Sequence, residues 1–156
     1  MRTSLVEIGA RLALGAAFLS GIASRFGLWG RGVGYGSFAN FVRYTAEVNA
    51  FMPAPTIPFL AWSATVAELG LGVLLVLGLW RRWVALGSAV LLALFGVAMT
   101  ASMGIKEPLD YSVFSACAAA LLLADREERL SRRPRSGVIS PERSDASSTM
   151  QAETPA

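Results

Sequence analysis

Four stretches of the chain are almost wholly apolar, and most polar residues fall between them. They are residues 5–24 (LVEIGARLALGAAFLSGIAS), 57–80, 83–102 (WVALGSAVLLALFGVAMTAS) and 109–124 (LDYSVFSACAAALLLA). A helix needs about 20 residues to cross a hydrocarbon core about 30 Å thick. The first three stretches reach that length. The fourth is slightly short, so it is expected to cross with little tilt or with local thinning of the bilayer. None shows the alternation of a barrel strand, and backbone in lipid must satisfy its own hydrogen bonds. The pattern therefore predicts an all-α fold, a four-transmembrane-helix bundle.

The loop after the first stretch opens with GRGVGYG, residues 30–36. Its glycine spacing is not that of a dinucleotide-binding turn and no strand precedes it, so it reads as a flexible connector. Beyond it, Phe38, Phe41, Val42, Thr45, Val48 and Phe51 recur near helical spacing, with Arg43, Glu47 and Asn49 elsewhere. This predicts an amphipathic surface helix over about 37–51 with Ser37 as N-cap, lying on the outer membrane face or capping the bundle. Pro53, Pro55 and Pro58 prevent it from running on into the second span.

After Asp125 the chain becomes charged and rich in Ser and Pro. Residues 126–156 are expected to be a disordered tail, with residues 1–125 forming the transmembrane domain. The N-terminus also has some features of a cleaved signal peptide, with Arg2, an apolar run and GIA before Ser24. Glu7 and Arg11 interrupt that pattern, and a retained first span is preferred.

Composition agrees with a membrane protein. The chain is 54% hydrophobic, and its mean hydropathy is +0.51. The net charge of +3 comes from arginines beside the spans and in the tail, which speaks for bilayer orientation and against a nucleic-acid partner. Arg81 and Arg82 share a short turn, and short basic turns face the cytoplasm. Both termini are then cytoplasmic in the inner (plasma) membrane, and the loop carrying Arg25, Arg31 and Arg43 is outside. Trp29, Trp62, Trp80 and Trp83 lie near span ends, as interfacial aromatics do. There is no His, and Cys117 is the single Cys. This rules out an intrachain disulfide and a CxxC pair and leaves no metal site in view. Cys117 reads as an inert packing residue.

Small residues recur four apart in each span: Gly9, Ala13, Ala17 and Gly21; Ala64, Glu68 and Gly72; Ala85, Ala89 and Ala93; Ser112, Ala116, Ala120 and Ala124. Such stripes let helices approach closely, within one chain or in a homo-oligomer.

Glu68 is the candidate for chemistry. It is the one charge in its span, and a charge at mid-membrane costs at least about 2.5–3.5 kcal/mol. It must be paired, or protonated and hydrogen-bonded, either as a clasp between helices or as a proton relay or ligand contact. Arg11 is one possible partner. At about 1.5 Å per residue, Arg11 sits about 10 Å and Glu68 about 18 Å from the cytoplasmic ends, and the two side chains lean apart. Glu7, four residues earlier, is a simpler partner for Arg11. Hydroxyls of Ser20, Tyr111 or Ser112 would equally serve a protonated Glu68. Asp110 and Tyr111 otherwise read as cap and interface residues.

RLALGAAFLSGIASRF, FLAWSATVAELGLGVLLVLGLWRRWVALGSAVLLALF and LDYSVFSACAAALLLAD together resemble the DoxX family of small four-helix membrane proteins. The resemblance rests on Arg11, Ser20-Gly21, Glu68 with the following LGLGVLLVLGL, and Arg81-Arg82, across most of residues 5–125. A Lys expected shortly after the Ser-Gly pair is absent, and Arg25 stands close to its place. The resemblance implies a membrane subunit of a redox assembly, linked to quinone through thiosulfate oxidation or to thiol and oxidative-stress defence, with redox partner proteins. On this reading Glu68 gives a proton or hydrogen bond to quinone, with Arg11 and Arg25 as orienting groups. A non-enzymatic scaffold or assembly factor is the alternative, and a small transporter ranks last.

Overall fold

A computed structural model describes residues 5–30 and 32–132. Its helices are α1 (Leu5–Arg25), α2 (Phe38–Val48), the short 3-10 turn Ala54–Thr56, α3 (Ile57–Leu77), α4 (Arg81–Met103), α5 (Lys106–Asp110) and α6 (Val113–Arg132). Among the described residues three segments are long and apolar enough to cross a membrane: Leu5–Arg25, Ala54–Leu77 and Arg81–Met103. α1 packs on α3, α4 on both α3 and α6, and α2 lies across α3 and α4.

The helix ends follow from local chemistry. Ser37 caps α2, its hydroxyl accepting from Asn40 N. α3 stops at Leu77, short of the expected 80, because Gly78 turns left-handed (φ 70°) and its N–H returns to the carbonyls of Leu74 and Leu75. α4 therefore starts at Arg81, two residues earlier than expected.

The last apolar stretch departs most from expectation. It is no single helix over 109–124: α5 ends at Asp110, Ser112 adopts φ 56°, and α6 begins at Val113. α6 then runs past Asp125 to Arg132, so residues 126–132 are helix and not disordered tail. Its charges find partners. Arg126 meets Glu7 at 3.2 Å, Glu127 meets Arg81 at 3.4 Å, Glu128 meets Arg82 at 3.1 Å, and Arg129 meets Asp125 at 2.7 Å. The first three tie the end of α6 to the starts of α1 and α4, and the last lies within α6. The rest of the expected tail, 133–156, lies outside the described residues.

The core is narrow and made of small side chains. Ser88 and Ala120 are completely buried between α4 and α6, with Ala85, Ala89 and Ala124 close behind. α1 and α3 touch through Gly15 and Gly72. A β-carbon on Gly15 would stand 2.8 Å from Val76 Cγ2 and 3.0 Å from the Gly72 carbonyl. In lipid such approach is what holds helices together. Of the glycine–alanine stripe expected on α1, only Gly21 faces α3, with Glu68 beside it. Gly9, Ala13 and Ala17 are exposed, and the buried face is Glu7, Leu14, Gly15, Phe18 and Arg25. Large apolar side chains such as Phe59, Val66, Val90, Leu94, Val97 and Leu122 point outward. That inverted surface belongs against hydrocarbon.

Candidate functional site

The buried face of α3 is Ile57, Ala61, Thr65, Glu68, Gly72 and Leu75, at helical spacing. Glu68 thus points at α1 and not at lipid. It meets Arg25, from the last turn of α1. Arg25 Nη2 donates to Glu68 Oε1 at 2.5 Å, and each residue is only 4% exposed. Arg25 Nη1 donates to Thr65 Oγ1 at 3.0 Å, and the Thr65 hydroxyl donates to the Ala61 carbonyl at 2.7 Å. The guanidinium carbon stands 3.7 Å above the Phe41 ring of α2, a cation–π contact in a desolvated setting. Gly21 makes room for the carboxylate. A β-carbon there would lie 3.3 Å from Glu68 Oε2.

Side-chain direction explains the pairing. Helical side chains lean toward their own N-terminus. In antiparallel α1 and α3, Arg25 leans down into the bundle and Glu68 leans up, so the two converge. Arg25 Nε is buried and has no hydrogen-bond partner among the described residues.

A lid of rings closes this end. Tyr35 N donates to Ser24 Oγ at 2.8 Å, and Asn40 Nδ2 donates to the Tyr35 carbonyl at 2.8 Å. The Tyr35 ring packs edge-on to Phe41 (centroids 5.1 Å apart) and against Tyr44 (5.3 Å). Phe38 joins Phe41 to Trp62, whose ring is 4.4 Å from its own. Burial, reinforced by Tyr44, holds the Tyr35 phenol well above the ordinary tyrosine range. Burial and then the nearby Tyr111 push Tyr44 up to about 12. Both phenols stay neutral hydrogen-bonding groups at physiological pH.

The other expected site residues lie elsewhere. Arg11 is not at Glu68. Its guanidinium lies against Gly78 at the C-terminal end of α3, where a β-carbon on Gly78 would be 2.6 Å from Nη1. A cation there faces the negative end of the helix dipole. Glu7, considered as a partner for Arg11, bonds Arg126. Ser20 is exposed, and its carbonyl accepts from Trp29 Nε1 at 3.2 Å. Tyr111 is 65% exposed beyond α5, and Ser112 is exposed too. The hydroxyl beside the ion pair is that of Thr65, which the sequence reading missed. Its signal was present: Thr65 stands three residues before Glu68 on the same helix face. Cys117 is half-buried, its thiol donating to the Ala89 carbonyl at 3.3 Å. Among the described residues no three His, Cys, Asp or Glu side chains gather as a metal site.

The DoxX family profile matches residues 7–102, which contain α2, α3, all but the ends of α1 and α4, and every member of this site. The chain belongs to the DoxX family. It is accordingly a small membrane protein, with apolar helices suited to a bilayer. No curated protein and no solved structure matches this DoxX chain.

Proposed function

We propose that this DoxX chain is a small membrane subunit of a redox assembly, and that the Arg25–Glu68 pair is where it meets a quinone. In this reading α1, α3, α4 and α6 all cross the plasma membrane and α2 lies on the outer surface. The Arg81-Arg82 turn and both termini face the cytoplasm. The observation that supports it most is a charge pair kept nearly dry at the end of α1, with Phe41 against the guanidinium and Tyr35 packed on Phe41. Intramembrane ionisable residues mark functional sites by default. The residues suit a quinone head group: flat rings for stacking, neutral phenols, and an Arg25 Nε that has no hydrogen-bond partner among the described residues. A bound quinone supplies two-electron, two-proton acceptor chemistry, with the electrons coming from a partner protein. Arg25 holds Glu68 in place and offers the N–H. Glu68 holds or passes the proton, and Thr65 fixes the guanidinium plane.

The test starts with native purification in mild detergent and identification of what accompanies the chain. Quinone-coupled turnover of that assembly is then measured with Glu68→Gln, which keeps the size of the side chain and removes its acid function. Turnover should fall while insertion and folding persist. Equal turnover in a folded Gln variant removes Glu68 from the mechanism.

A scaffold for a redox partner is the second reading. It is favoured by the directness of the Arg25–Glu68 bond, which clasps α1 to α3 with no third party needed. On that reading Glu68→Ala loosens the bundle and the partner dissociates, with no chemistry of this chain's own to lose.

A further inference from the structure

The glycine-rich segment between α1 and α2 is not a loose connector. Its ends are pinned: a β-carbon on Gly27 would stand 2.8 Å from the Gly36 carbonyl, and Ser24 Oγ holds Tyr35 N. Gly27, Gly30, Gly34 and Gly36 all take positive φ, a set of turns that other residues adopt only under strain. Residues 27–30 and 32–36 therefore form compact turns whose two ends meet. It turns its apolar residues outward. Leu28, Trp29 and Val33 are all well exposed. A loop facing water has no reason to present these three together.

The direction of the loop settles what covers them. Trp29 Nε1 reaches back nine residues to the Ser20 carbonyl, more than a helical turn before the end of α1. The indole is thus laid along the exposed side of α1, the side that carries Ala13, Ala16, Ala17 and Ser20. α1 is itself long and apolar enough to cross the membrane, so that side is bathed in lipid. A Trp with its ring on hydrocarbon and its N–H on a carbonyl is an interfacial anchor.

We propose that the described parts of this loop, residues 27–30 and 32–36, form a membrane-seated wedge, with Leu28, Trp29 and Val33 inserted into the leaflet at the Arg25 end of the bundle. The partner of this surface is the lipid itself, at the boundary between head groups and chains. The same backbone carries Tyr35, so lipid contact on one side of the loop holds its ring against Phe41 and Tyr44 on the other. The wedge is independent of what the site binds.

A Trp62→Phe, Trp80→Phe, Trp83→Phe variant retains Trp29 as its sole tryptophan. In phosphatidylcholine vesicles its emission should be lost to lipids brominated near the head group, lost less to lipids brominated near the chain end, and little affected by acrylamide. Quenching by acrylamide without quenching by bromolipid puts the loop in water and overturns the proposal. Protection from both quenchers means that protein covers the tryptophan, and also overturns it. Should the triple variant not fold, a spin label at Val33→Cys in a Cys117→Ser background decides. Oxygen should reach it more readily than a soluble nickel chelate, and the reverse order refutes the wedge.

Discussion

The Arg25–Glu68 bond can be tested as a free energy. Both side chains are 5% exposed, so breaking the pair from one side leaves a charge in a dry place. Removing one partner of a buried pair costs about 3–5 kcal/mol, while replacing both with apolar groups is often neutral. The two single variants should differ. In Arg25→Met the orphaned carboxyl can shed its charge by taking up a proton, which limits the loss to about 3 kcal/mol. In Glu68→Leu the guanidinium cannot do so, because arginine stays protonated. It keeps only Thr65 and the Phe41 face, so the cost should approach the upper end of the range, about 5 kcal/mol. The double variant should lie within about 1 kcal/mol of the parent, since Leu and Met fill a site already lined by Phe41 and Ala61. Reversible unfolding in mixed micelles gives all four free energies, and the cycle gives the coupling. Single losses that simply add in the double variant would show that the two residues do not act as a pair.

Gly15→Leu should weaken the α1–α3 contact by about 1–3 kcal/mol through overpacking, because its β-carbon meets Val76 and the Gly72 carbonyl. Gly9→Ala meets nothing within 4 Å and should be neutral or slightly stabilising in the same unfolding assay. Gly78→Ala must hold φ 70° and displace the Arg11 guanidinium, so it should cost at least about 1 kcal/mol. In an alkaline titration followed by tyrosinate absorbance, a late phase should shrink with either Tyr35→Phe or Tyr44→Phe and disappear only when both are replaced. The Tyr44 pKa is raised above its unfolded value of 10.0, so its neutral phenol contributes stability that is full below that pH and is lost as pH rises through about 12. A titration in which every phenol ionises near pH 10 would contradict the packing of Tyr35 and Tyr44.

Apolar run length was enough to find α1, α3 and α4, and Ser37 before an apolar-periodic stretch was enough to start α2. α6 resisted the same treatment. Its continuation to Arg132 depends on ion pairs with Glu7, Arg81 and Arg82, which are remote in sequence. Glu68 was legible as a site because a lone acid in an apolar run demands a partner. Which partner was harder. Arg25 closes α1 beside a loop and reads as a topology charge, while Arg11 sits inside the span and draws the eye. The lean of helical side chains disfavoured Arg11 and, applied to Arg25, would have favoured it. Phe41 and Tyr35 could not be placed at the site from the sequence, because they arrive through a loop whose path is set by four left-handed glycines.

α1 is fastened by charge at both ends, and the two fastenings differ in kind. At its start Glu7 bonds Arg126, whose side chain is 58% exposed; at its finish Arg25 bonds Glu68 out of reach of water. Dissolved ions screen the first much more than the second. Ionic strength therefore acts on this helix as a directional control. Added salt should speed amide exchange in the first turns of α1 and leave the last turns slow, so that the helix peels from one end only and its closed end keeps the site assembled.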